Sequence, residues 1–243
     1  MSSASMEPTE SVRSWRRVEI AGLAAVSAGL VLVLIINMAA IPPVIVFAVL
    51  YGLLAVAVWR FSHKTWVPLV AGVLALLGML ANAPFLAGDL AHPDSWGSFI
   101  PSAIALVGAL VAFIAAVTPR FAPEASFSRP LGLGGAAVAI VLVGLSITAS
   151  ATASSDALEE GDVAVIAEGV EYPEVVLVAS GGALHIENKD PVHHTFVIDD
   201  TDIKVDLPAG KSRRLDVALA SGEYRFLCDV PGHERMEGTL TVE

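Results

Sequence analysis

The chain has one cysteine, Cys228, in the stretch FLCDVPGHERMEGTLTV, which also holds His233 and Met236. A thiolate, an imidazole and a thioether side by side suit copper that cycles between two oxidation states. A trigonal site of that kind needs a second imidazole. Two stand adjacent upstream, His193 and His194, in DPVHHTFVID. One cysteine excludes an internal disulfide, and a free thiol in an exported domain is a liability unless it is used or deeply buried.

These side chains must be positioned by strands and turns. In GEYRFLC, alternation puts Tyr224, Phe226 and Cys228 on one face, and the two aromatics mark that face as the buried one. Pro231-Gly232 is a turn signal that bends the chain back and brings His233 and Met236 toward the sulfur. In the upstream strand His194 shares a face with Phe196 and Ile198, so His194 is the chosen ligand. His193 falls in the preceding turn as the fallback. His185, opposite Leu184 and Ile186, reads as exposed. Eight short strands are expected, at 163–170, 174–179, 183–188, 194–198, 204–207, 213–219, 223–228 and 238–242, with turns at Ser180-Gly181-Gly182, Asn188 to Pro191, Pro208-Ala209-Gly210 and Ser221-Gly222. That pattern predicts a small β-sandwich over 163–243, preceded by a flexible acidic linker over 150–162.

The rest of the chain is different in kind. The whole is 55% hydrophobic with mean hydropathy +0.69, too apolar for an ordinary soluble domain. A bilayer core of about 30 Å needs about 20 apolar residues. Five such segments are expected within a helical transmembrane domain over 18–149: Val18–Met38, Val44–Trp59, Val67–Ala87, Phe99–Thr118 and Leu131–Thr148. Pro42 and Pro43 break the first long apolar run into a hairpin around Ala39–Pro43. Arg13, Arg16 and Arg17 precede span one, in an N-terminal tail over 1–17. Arg60 and Lys64 follow span two, and Arg120 and Arg129 follow span four. All the basic loops then lie on one side, which puts the N-terminus inside and the C-terminal domain on the outer (periplasmic or extracellular) face of the cytoplasmic membrane. Within the spans no histidine is available as a haem ligand, and Glu19 and Asp89 sit at span ends. His92 lies with Asp94 in the loop AHPDSW, read as solvated.

The C-terminal region resembles a cupredoxin of the plastocyanin/azurin type. Four features carry the resemblance: Asn188 with His194-Thr195-Phe196, Leu207-Pro-Ala-Gly-Lys211, Gly222-x-Tyr224-x-Phe226-x-Cys228, and Cys228-x4-His233 running into Met236-Glu-Gly238. The resemblance implies a Greek-key β-sandwich with one type 1 (blue) copper ion. His194 and His233 would be its nitrogen ligands, Cys228 the thiolate and Met236 the weak axial ligand. The ligand loop combines the Cys-to-His spacing of azurins with the His-to-Met spacing of amicyanins. Electrons would leave by the edge of His233, and bonds from Asn188 and Thr195 would tune the sulfur and the far nitrogen of His194.

The expected function is therefore a membrane-anchored blue copper protein that carries single electrons, not an enzyme; the alternative is copper binding and delivery outside the cytoplasm. A binuclear copper centre needs a second cysteine, and a multicopper oxidase needs His-x-His pairs; the sequence has neither. From residue 150 onward seven basic residues face nineteen acidic ones. Such a domain is unsuited to nucleic acid and suited to redox partners with a basic docking face, while the spans contact membrane lipid.

Overall fold

The computed structural model describes residues 10–38, 40–61, 63–122 and 124–243. Most of the expected N-terminal tail, 1–9, and Ala39 of the expected hairpin turn lie outside the described residues. Among the described residues the chain forms six helices, four or five of them apolar enough for membrane spans, followed by a β-sandwich of two sheets. It divides into two compact units, one formed by residues up to Ala83 with Ile100–Gly144, the other by Pro84–Phe99 with Leu145–Glu243.

The helices are α1 (Glu10–Ile36), α2 (Pro42–Arg60), α3 (Trp66–Ala81), α4 (Ala83–Ala91), α5 (Trp96–Phe121) and α6 (Ser128–Thr152). Pro42 opens α2, where its missing N–H costs nothing. Four helices, α1, α2, α5 and α6, are each long and apolar enough to cross a membrane. The expected third span is not one straight helix but the bent pair α3 and α4, which counts as a fifth span only if the two are taken together. The break has a local cause. The Asn82 backbone N–H and its Nδ2 both donate to the Gly78 carbonyl, ending α3, and Pro84 follows without an N–H to continue the ladder.

Glu19 stands at the start of the expected first span. Because α1 begins at Glu10, ahead of the apolar stretch, Glu19 lies inside the helix, fully buried. In the same unit Gly22 of α1 meets α5 backbone to backbone: a Cβ there would stand 2.6 Å from the Gly108 carbonyl oxygen. On α6, Leu133, Ile140, Val141 and Ile147 are exposed, the apolar outer face of a helix suited to lipid.

The eight strands are β1 (Val163–Ala167), β2 (Val175–Val178), β3 (Ala183–Asn188), β4 (His194–Ile198), β5 (Lys204–Leu207), β6 (Ser212–Asp216), β7 (Gly222–Leu227) and β8 (Glu237–Val242). One sheet has the order β1-β3-β6 and the other β2-β8-β7-β4-β5. Alternate residues turn inward: Val165 and Ala167, Leu184 and Ile186, Val176 and Val178, Phe196 and Ile198, Leu240 and Val242. Tyr172, Phe196 and Phe226 form an aromatic nucleus. The two phenylalanines stack at 4.8 Å and Tyr172 stands edge-on to both. Burial of each large ring contributes about 1.5–3 kcal/mol. The segment expected as a flexible linker is tied along β6, with Ser155 to Ser212, Asp156 to Ser212 and Arg214, and Asp162 to Arg214.

Candidate metal centre

β4 and β7 are antiparallel neighbours in one sheet, and this brings the two halves of the candidate site together across more than thirty residues of chain. β4 delivers His194 at its first residue. Cys228 follows the last residue of β7, facing inward as the alternation predicts, and is 3% exposed. The chain then makes a closed loop. The Cys228 N–H donates to the Met236 carbonyl at 2.9 Å, across the base formed by β7 and β8. Inside the loop the His233 N–H donates to Val230 and the Met236 N–H donates to His233. Gly232 supplies the turn at φ +93°, a backbone conformation that residues with a side chain rarely adopt.

Three donor atoms converge. Nδ1 of His194 and Nδ1 of His233 are 3.1 Å apart, and the Cys228 Sγ stands 3.9 and 3.7 Å from them. The point equidistant from all three lies about 2.1 Å from each, close to the ~2.0–2.1 Å of a bond from a first-row divalent ion to imidazole nitrogen and slightly short of the ~2.3 Å of its bond to thiolate sulfur. Met236 is fully buried in the core cluster that contains Cys228. His233 is half-exposed and forms the solvent edge of the group.

The surroundings fix which atoms point inward. His194 Nε2 donates to Asp190 Oδ2 at 2.8 Å, which leaves Nδ1 as the free lone pair. Asp190 is itself cradled: the N–H groups of Gly169 and Val170 donate to its two carboxylate oxygens at 2.8 and 2.9 Å. Val170 has a left-handed φ of +61°, rare for a β-branched residue, and its bond to Asp190 offsets that strain. Burial pushes the Asp190 carboxyl up, but His194 and the two backbone N–H groups outweigh it and hold the group below its ordinary value. For His194, burial lowers the pKa while Asp190 and Cys228 raise it further, so the net direction is up.

The sulfur is similarly held. Thr195 N–H donates to Sγ at 3.4 Å. The Thr195 hydroxyl lies 3.6 Å from Sγ but 2.7 Å from Asp229 Oδ1; its one proton goes to the carboxylate, so the backbone N–H is the sulfur's donor. Burial pushes the Cys228 thiol up, yet His194, His233 and Thr195 outweigh it and lower it to about 5.

The expectation for the second layer is corrected in one respect. The far nitrogen of His194 meets Asp190, not Asn188. Asn188 acts one step back: its Nδ2 donates to the carbonyls of Val192, Leu207 and Pro208, and its Oδ1 accepts the Asp190 N–H. Gly169 and Val170 sit in the β1–β2 loop and Asp190 in the β3–β4 loop, and these two loops meet only in the folded domain. The only local hint is that Asp190 precedes His194 by four residues. His193, the fallback, is buried and turned elsewhere, and burial pushes its imidazole down to about 3. His185 is half-buried, with Nε2 at the Asp156 carbonyl.

A family model described as a cupredoxin-like domain matches residues 136–242. Among solved structures, a Cu-containing nitrite reductase from Thermus scotoductus SA-01 is 23% identical with a TM-score of 0.31; the match covers 38% of this chain and 24% of that one. An amicyanin in its Cu(I) form is 18% identical at TM-score 0.31, covering 35% of this chain and 86% of its own. A purple cupredoxin from Nitrosopumilus maritimus is 19% identical at TM-score 0.30, covering 34% of this chain and 100% of its own. No curated protein matches the sequence.

Proposed function

Because the C-terminal part of this chain is a cupredoxin-like domain, we propose that the protein is a membrane-anchored blue copper protein that carries single electrons at the outer face of the membrane. His194, Cys228 and His233 would hold one copper ion, with Met236 as the axial ligand. The proposed division is an N-terminal tail over 1–17, a transmembrane domain over 18–149, a linker over 150–162 and the copper domain over 163–243. The observation that carries the reading is the triangle of two Nδ1 atoms and one Sγ, sized for a first-row ion and built from donors that suit copper in both oxidation states.

Copper supplies a one-electron couple when bound. The protein's own residues do the rest. Asp190 holds the His194 tautomer, Thr195 N–H holds the sulfur, and the Cys228–Met236 backbone bond closes the loop, so little has to rearrange when the ion's charge changes. The core rings of Phe196 and Phe226 exclude water behind the site, and the half-exposed edge of His233 is the route by which a partner would exchange an electron. A carrier of this kind needs no substrate pocket and acts through redox partners, not as an enzyme.

The test is spectroscopic. The full-length protein in detergent is loaded with Cu(II), and its visible absorption and EPR are recorded beside Cys228→Ser. An intense thiolate-to-copper band with a narrow hyperfine splitting, absent from the variant, is expected. A native protein without that band would defeat the proposal, and copper lost readily to a chelator would point to delivery instead.

A further inference from the structure

His193 neighbours the candidate ligand His194 yet takes no part in its triangle. It is 5% exposed, and neither ring nitrogen has a hydrogen-bond partner among the described residues. Burying an imidazole with both nitrogens unmet costs on the order of a few kcal/mol, so something else should meet them. The carboxylate of Asp206 stands 3.7 Å from Nε2, outside hydrogen-bond reach. What faces His193 is the loop between α4 and α5. The ring of His92 lies on it at 3.5 Å between centroids, 11° from parallel. Asp94 stands beside them with a buried Oδ1 that also lacks a partner among the described residues. Each of the three offers one donor atom within 4.8 Å of the other two.

This loop is built onto the β-sandwich, not solvated as its composition suggests. The Gly97 N–H donates to the Pro191 carbonyl at 2.9 Å, and a Cβ on Gly97 would stand 2.3 Å from that oxygen. The Ala209 N–H donates to Ser95 Oγ at 3.1 Å, and Ser150 Oγ donates to the Asp94 carbonyl at 2.6 Å. Bonds at Asp94, Ser95 and Gly97 therefore set the Asp94 carboxylate against a buried histidine whose ring nitrogens lack partners among the described residues.

We propose that His92, Asp94 and His193 form a second metal site, for a divalent first-row transition ion held by two imidazoles and a carboxylate. Nitrogen and oxygen donors without a thiolate select Cu(II) or Zn(II) over Cu(I), with Cu(II) the tighter. The stacked rings have parallel in-plane lone pairs, so one must tilt for both nitrogens to meet one ion; His92 is the half-buried one and His193 the fixed one. The site would stand one peptide unit from the His194 site. It depends on different side chains and does not require the blue copper reading to hold.

Cu(II) is titrated into the metal-free full-length protein in detergent, with bound copper counted and EPR recorded. Native protein should bind two ions and Cys228→Ser should keep one with the wide hyperfine splitting of nitrogen and oxygen ligation. Adding Asp94→Asn or His92→Gln to Cys228→Ser should weaken that ion at least tenfold. Asp94→Asn alone should retain the blue band, which shows that the variant folds. The proposal fails if native protein binds one ion only, or if the ion kept by Cys228→Ser is unmoved by both loop substitutions. Loss of the blue band with an Asp94-dependent ion still bound would defeat the carrier reading and leave this one standing.

Discussion

Asp190 stands behind His194, and its position is a product of three separate chain segments. It accepts from His194 Nε2 and from the Gly169 and Val170 N–H groups. Removing its charge while keeping its shape should loosen the imidazole and reduce its basicity. Asp190→Asn is expected to weaken copper binding by about 10- to 100-fold. A competition titration against a copper chelator checks this, and unchanged affinity would show the contact to be structural only. The thiol makes a pH prediction. In the folded, metal-free protein its pKa is lowered to about 5 from an ordinary value near 9, despite burial. The depressed value means that the thiolate's contribution to stability is complete above about pH 9 and is lost as pH falls toward 5. Thiolate absorbance in the ultraviolet should rise with a midpoint near pH 5; a midpoint between 8 and 9, the free-thiol range, would refute it.

The elements that frame the site are β4, β7 and β8, and the tightest point among them is Gly238. It pairs with Phe226 in the β7–β8 register, next to the closed loop. A Cβ there would stand 2.4 Å from the Pro173 carbonyl oxygen and 2.5 Å from the Phe226 ring. The carbonyl is backbone and cannot move aside. Gly238→Ala should destabilise the domain by about 1–3 kcal/mol, at roughly 4–8 °C per kcal/mol in a domain of this size. Gly88→Ala in α4, with nothing within 4 Å, is the control and should not lower the midpoint. Thermal loss of the copper band measures both.

For the molecule as a whole, charge is the property that reaches a partner. The sequence carries a net charge of −11, with the excess of acidic residues in the C-terminal region. Potentials of this sign raise the encounter rate with a basic partner by about 10- to 1,000-fold at low salt, and screening removes the gain. Electron exchange with a basic redox protein should therefore slow steeply as ionic strength rises, while exchange with an acidic one should not. Stopped-flow mixing over a salt series decides this, and a flat profile would remove the electrostatic docking idea.

Much of this was legible in the sequence because its causes are local. Period-two alternation places all eight strands, six of them (β2, β3, β4, β5, β7 and β8) to within a residue at either end. Alternation also turns Cys228 and His194 inward, and the loop from Cys228 to Met236 is short enough that its turn residues predict its closure. Apolar length alone finds the four helices that are long and apolar enough to cross a membrane. Only the tertiary structure decided the rest. The cradle of Asp190, the burial of Glu19 and the approach of His92 and Asp94 to His193 each join residues with no shared period or neighbouring position. The break at Asn82 depends on its side chain turning back to Gly78 instead of outward. Periodicity reports which face a residue takes; it carries no information about which distant segment that face will meet.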